Sequence, residues 1–441
     1  MTLRYGFTSV IRVVLIAMAL LLISIPNVDA LTTEERIENL ELLLSRVKLE
    51  EVNGKMSYIF GPESCTLPDG TPVSPCGVNV YVRNGSGDSS DMFNGLGNII
   101  IGSNRPPAKA TPLRNATHSI IVGEEHGYLI SSSALFGYQH NIIGGVMALM
   151  TGRGHFSVNG AAVGTNIIGG IEHEIIGASL NAIVGGAQHI SAEGFCSLLG
   201  GFRNLCNARH SQVIGGKHNR VDAESSTIGG GYYNEISPTG IAATIIGGEL
   251  NIAEGPQCSV FGGTEHHIYS DGVSSAISGG ALGDIYKEYS SISGGIGHNI
   301  KGTFSSASGG QFVSFHLTSQ YSASLGSSNS KINSYYDVLL GGDDHAINAY
   351  YGVIYGGYQN SANGDHSVIV NGNASVSRAK ASVILGGGNP QSRNITGNST
   401  NPNIGGISVI LGGVGNNTTG NYCSLGGGNG RIQSVDYSYD F

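Results

Sequence analysis

From Asn98 to Ile432 apolar residues return on a fixed beat, seen in Ser211-Gln212-Val213-Ile214-Gly215-Gly216-Lys217-His218-Asn219-Arg220-Val221 and again in Ser290-Ser291-Ile292-Ser293-Gly294-Gly295-Ile296-Gly297-His298-Asn299-Ile300. With the first residue of each Gly-Gly pair as anchor, 21 units run from Gly102 to Gly426 with a spacing that returns to 15. Two residues before the anchor the position is apolar, as at Ile183, Leu198, Val213, Ile245 and Val260, and six residues after it is apolar again, as at Ile143, Val221, Ile236, Ile268 and Ile300. A regular repeat of this length predicts a solenoid, each winding stacking on the next. Two short strands of β-branched residues per winding face each other across a thin interior. The fold predicted is all-β, a parallel β-roll of about 21 coils with a period of about 15 residues, and strands stacked 4.8 Å apart would make a rod of about 100 Å.

A third column predicts an assembly. The residue just before the anchor is also apolar: Val122, Phe136, Val184, Ile214, Phe261, Leu340, Leu385 and Leu411. Neighbours on a strand point to opposite faces, so this column faces outward. A stripe along the whole rod exceeds what a soluble monomer exposes, and a second chain is predicted to cover it. Ser278, Ser293 and Ser308 interrupt the stripe.

Other patterns mark the ends. Arg4 and Arg12 flank an apolar run from Val13 to Ile25, and Val28-Asp29-Ala30 has small residues at the cleavage positions, so residues 1–30 read as a secretory signal too short to span a bilayer. Residues 31–54 read as a short helix: Thr32 and Glu35 have capping-box spacing, and Ile37, Leu40, Leu44 and Val47 form a coiled-coil seam. Residues 55–97 read as a neck in which Cys65 and Cys76 bracket a turn and are predicted to form a disulfide. Residues 98–432 are the repeat domain, and 433–441 are read as a terminal cap strand.

Composition narrows the function. Gly numbers 70 of 441 residues, charged residues are 12%, and the net charge is −9. So much Gly argues against helical bundles, and an acidic chain without a Lys/Arg cluster argues against nucleic-acid or anionic-membrane partners. Six Cys are too few for a disulfide scaffold. Cys196 and Cys206 share one winding and can bridge across it, Cys258 lies too far along the rod to join them, and Cys423 has no evident partner.

The repeat resembles the head domains of trimeric autotransporter adhesins, built from degenerate coils with a Ser, an aliphatic pair, Gly and then a small residue or Asn. It is also similar to uncharacterised secreted proteins with Gly-Gly-x-x-Asn repeats. The adhesin resemblance implies a left-handed roll joined in threes, hence a homotrimer acting in attachment. The membrane-barrel segment that ends those adhesins has no counterpart here. Only the alternating Val435, Tyr437, Tyr439 and Phe441 echo it.

Candidate chemistry is sparse. Four residues after the anchor the chain favours Asn or His, among them Asn141, His155, His173, His189, Asn204, Asn219, His266, His298 and His345. This alternation is wrong for a metal site and reads as a turn position tolerant of left-handed dihedrals. Asp343-Asp344-His345 is the one tight cluster of carboxylates and His, and it reads as a solvated turn. No column of converging carboxylates suits a polysaccharide-cleaving enzyme. No cofactor or metal is predicted. Of seven sequons, Asn394 and Asn398 lie in the one long insertion and are the predicted glycan acceptors. The reading favoured is a secreted, non-enzymatic, trimeric rod at the cell surface or outside the cell, for adhesion to glycans or matrix or for filament building. The alternative is an exported solenoid that binds or cleaves polysaccharide.

Overall fold

The computed structural model describes residues 47–52, 55–60, 65–66, 72–73, 99–101, 119–124, 126–128, 133–143, 146–158, 163–176, 180–389, 394–396 and 407–440. They belong to two compact units, divided after Tyr81. The first holds an antiparallel hairpin, Val47–Val52 with Lys55–Phe60, and a short pair, Cys65–Thr66 with Pro72–Val73. The hairpin corrects the predicted helix at its C-terminal end. Val47 opens a strand because Val52 pairs with Lys55 across Asn53-Gly54, the strongest two-residue hairpin signal. Ile37, Leu40, Leu44, the signal segment and Cys76 lie outside the described residues, and with them the predicted seam and the Cys65–Cys76 bridge.

The second unit is a parallel β-solenoid of about 19 turns with a period of about 15 residues, and among the described residues there is no helix. One ladder stacks 22 strands from Ile99–Ile101 to Tyr439–Asp440, and the other stacks 20 from Gly127–Tyr128 to Ile432–Gln433. Of the 21 anchors, Gly123, Gly137 and Thr151 lie within strands of the first ladder and the others follow one, and the turns number about 19. The segment read as a cap adds one more rung, Tyr439–Asp440 beside Ser424–Leu425, with Val435, Tyr437 and Tyr439 exposed. A third line of single parallel bridges runs from Arg153 through Lys217 and Tyr232 to Asn373, giving each winding a third side.

Both predicted inward columns are buried. Val213, Ile228, Ile245 and Val260 from one ladder meet Val221, Ile236, Ala253 and Ile268 from the other, all fully buried. Removing a Val or Ile side chain from water is worth about 1.5–3 kcal/mol, and two such residues recur in winding after winding. Around Gly137 the residue five after the anchor, Ile142, is buried, because that turn carries one Gly instead of two and the chain arrives a residue early.

The corner after the Gly pair holds the interior together. The Asn/His column is not a left-handed turn position: Arg203, His218 and Tyr233, each one residue earlier, carry the positive φ, while Asn204, Asn219 and Asn234 are buried. Each side chain supplies an acceptor that the backbone lacks. The carbonyl of Asn204 points to the preceding winding and accepts the Ile190 N–H, so its Oδ1 accepts the Asn219 N–H from the following one, at 3.0 Å. Asn219 does the same for Asn234, Asn234 for Asn251, and Asn251 for His266. The Asn219 Nδ2 donates to the carbonyls of Gly215 and Gly231, at 3.0 and 3.2 Å. At the Gly137 winding the column falls on His140, not Asn141, through the same one-residue shift.

Four residues before the anchor a second buried column, mostly Ser, repeats the device. Ser211 Oγ donates to the Ala223 carbonyl and accepts the Ser226 N–H. Cys196 occupies this column and is disulfide-bonded to Cys206 across its winding. Cys258, in the same column, is buried and free, and burial pushes its thiol up to about 12. Cys423 is also buried and free.

Of the Gly215-Gly216 pair it is the second that leaves no room for a side chain. A Cβ on Gly216, at φ +78°, would collide with the carbonyl oxygen of Gly231 and crowd the Asn219 amide, whereas one on Gly215 meets only the Leu199 carbonyl oxygen, at 3.8 Å. We predict that Gly216→Ala costs about 2–4 kcal/mol and that Gly215→Ala stays within about 1 kcal/mol of wild type, read from urea unfolding midpoints.

Candidate interaction surface

Two outward columns lie on the strands of the first ladder, three and one residue before the anchor, and a third lies five before it, in the turn that leads into each strand. The predicted stripe one before it is exposed or half-exposed at every residue named for it: Val122, Phe136, Val184, Ile214, Phe261, Leu340, Leu385 and Leu411, with Ile214 and Phe261 at 50% and 52%.

Sequence reasoning missed the column five before the anchor. Tyr289, Phe304, Tyr321, Tyr336, Tyr351 and His366 stack ring on ring with centroids 4.8–5.1 Å apart. All six have positive φ, which for bulky side chains is unusual. The strand spacing aligns the rings, and the recurring aromatic five before the anchor was its signal. The column three before the anchor was missed too. It is polar or small at Gln212, Thr227, Thr244, Ser259, Ala276, Ser291 and Ser306, and turns to Val338, Val353, Val368, Val383 and Val409 further on.

The remaining candidates do not converge on a reaction centre. His345 is buried in the corner column, its Nδ1 accepting the Asn360 N–H, while Asp343 and Asp344 face outward and accept from Asn329 and Gln359. Among the described residues no three His, Cys, Asp or Glu side chains group as metal ligands. A shallow depression of about 280 Å³ is lined by Tyr269, Asp271, Tyr286, Lys287 and Lys301, where the two Tyr rings stack at 4.1 Å. Asn394 corrects the glycan assignment: it is fully buried, its Oδ1 accepting the Asn416 N–H and its Nδ2 donating to Gly413, which leaves no room for a sugar. Asn398 lies outside the described residues.

Two buried groups make the interior sensitive to pH. His126, His140, His155, His173 and His189 stack at 4.8–5.0 Å. Since Nδ1 of His173 accepts a backbone N–H, its neutral ring carries the proton on Nε2. Burial, opposed by a hydrogen bond to the Phe136 carbonyl, takes His140 down to about 3, and burial together with the neighbouring rings takes His173 to about 3. Asp337 stands in the Ser column, where burial pushes its carboxyl up to about 7 although Gly352 N–H donates to it.

The second unit is thus a parallel β-solenoid whose described inward columns are buried and whose exterior is patterned. No family model matches it, and no curated protein sequence matches it.

A His held neutral in the fold but free to protonate when unfolded contributes stability above about pH 6.5, which is lost as pH falls toward 3. For His140 and His173 the loss by pH 4.5 is on the order of 2 kcal/mol each. We predict that replacing both by Asn, the other residue the column uses, reduces the acid-induced fall of the urea midpoint between pH 7.5 and 4.5.

Proposed function

We propose that the chain is an exported, non-enzymatic, self-associating rod that works in attachment or in building extracellular structure. The observation that carries this reading is the outward apolar column: Ile101, Phe136, Val184, Ile214, Ile246, Phe261, Leu325, Tyr355, Leu385 and Leu411 are each at least 38% exposed, on a rod whose inward columns already fill its core. Solvent-exposed apolar surface extended over so many windings is unfavourable for a lone subunit, and a partner with the same stripe removes both from water. Three chains is the number the resemblance to trimeric adhesins implies. Contacts with glycans or matrix components would then be shallow, repeated in every chain, and strengthened by multivalency.

A rod of this kind needs no pocket. Its exterior varies between windings while the interior repeats, as suits a spacer or a display surface. Light scattering on the purified chain tests the reading: we predict a mass three times that of one chain, and a monomer at micromolar concentration would overturn it.

A further inference from the structure

We propose that copies of this chain meet at one segment of the rod, the first-ladder face of the windings from Tyr321 to Leu411, rather than along the whole outward stripe. The inference rests on self-association and names where it happens. In five of these six windings all three outward columns are apolar together, His366 being the one polar residue of the field. Tyr321, Ala323 and Leu325 are followed by Tyr336, Val338 and Leu340, then Tyr351, Val353 and Tyr355, and the pattern continues to Ile407, Val409 and Leu411. The outer columns are the exposed ones: Leu325 is 56% exposed, Tyr355 51%, and Tyr351 48%. No Lys, Arg, Asp or Glu occurs among the eighteen residues of the field. Six strands at about 4.8 Å and five residues at about 3.3 Å give a footprint of roughly 29 by 17 Å, about 500 Å².

Three features single out a second copy as the occupant. The footprint lies at the upper end of what a monomer exposes and supplies over half of the roughly 800 Å² each partner gives to a stable interface. The absence of charge excludes a partner recognised by ion pairs. Finally, the field is a grating: the stacked Tyr321, Tyr336 and Tyr351 rings repeat at 4.9–5.1 Å. A partner can interlock with every row only if it carries the same repeat, and another copy does.

The central windings contrast with this. There the middle column is Gln212, Thr227, Thr244, Ser259, Ala276, Ser291 and Ser306, and the outer column reaches Ser278, Ser293 and Ser308. This face keeps hydroxyls toward water and has less to gain from being covered.

The test compares two double variants of the full chain by light scattering and sedimentation equilibrium. Val353→Asp with Val383→Asp charges the field; Thr227→Asp with Thr244→Asp charges the same column outside it. The field variant is expected to associate at least a hundredfold more weakly, and the central variant to keep the wild-type mass. Should the charged field variant fail to fold by far-UV circular dichroism, Val353→Thr with Val383→Thr, which keeps the β-branched shape, is expected to weaken association about tenfold. Wild-type mass in the field variants, or equal loss in field and central variants, overturns the proposal while leaving self-association standing. A monomeric wild-type chain overturns both, as does a monomer that cosediments with insoluble cellulose or chitin through this face.

Discussion

A winding of about fifteen residues must turn corners so tightly that one amide at each corner loses its place in the backbone ladder. At Asn219 that N–H points toward the preceding winding, where the carbonyl of Asn204 is already turned away to Ile190. A buried N–H without an acceptor costs about 1–3 kcal/mol, and the cost would recur in every winding. The side chain of Asn204 removes it by acting as a second carbonyl. Only a residue with an acceptor at that distance can do so. Asn and His fill most of the column for this reason, with Ser330 serving once.

Much of the local chemistry follows from that bond. The second Gly of the pair faces both the backbone of the next winding and the side-chain amide, so a Cβ on Gly216 would meet the Gly231 carbonyl and the Asn219 amide at once. The residue before the Asn or His takes the positive φ and points outward, which leaves its identity free: Arg203, His218 and Tyr233 all serve. A corner satisfied from within leaves the exterior to vary. Aliphatic, aromatic and hydroxyl fields can then be written on the first ladder without disturbing the fold.

The period, both inward columns and the outward stripe were legible because each depends on side-chain volume and polarity, which recur with every winding. Placing Cys196 and Cys206 in one winding allowed a bridge between them without deciding it, and the structure forms that bridge. The corner column was visible as a pattern but misread, since Asn favours left-handed turns as readily as buried ladders and only the third dimension separates the two. Asn394 was misread for the same reason: its sequon is a local string, and its burial comes from Gly413 and Asn416, the latter 22 residues away. Val47 was assigned to a helix from apolar spacing alone, and the hairpin signal of Asn53-Gly54 between the two strands was passed over. The aromatic column escaped notice because it lies outside the Gly-centred unit, and its stacking depends on the 4.8 Å rise between strands.

The ladder itself can be tested at one rung. Asn219→Leu keeps the side-chain volume but leaves the buried Asn234 N–H without its acceptor and takes one of two donors from the Gly215 and Gly231 carbonyls, whereas Asn219→His offers an Nδ1 acceptor as His189 does for Asn204. Urea unfolding at pH 7.5 should show Asn219→Leu less stable by about 3 kcal/mol and Asn219→His within about 1 kcal/mol of wild type. A Leu variant as stable as wild type would contradict the account.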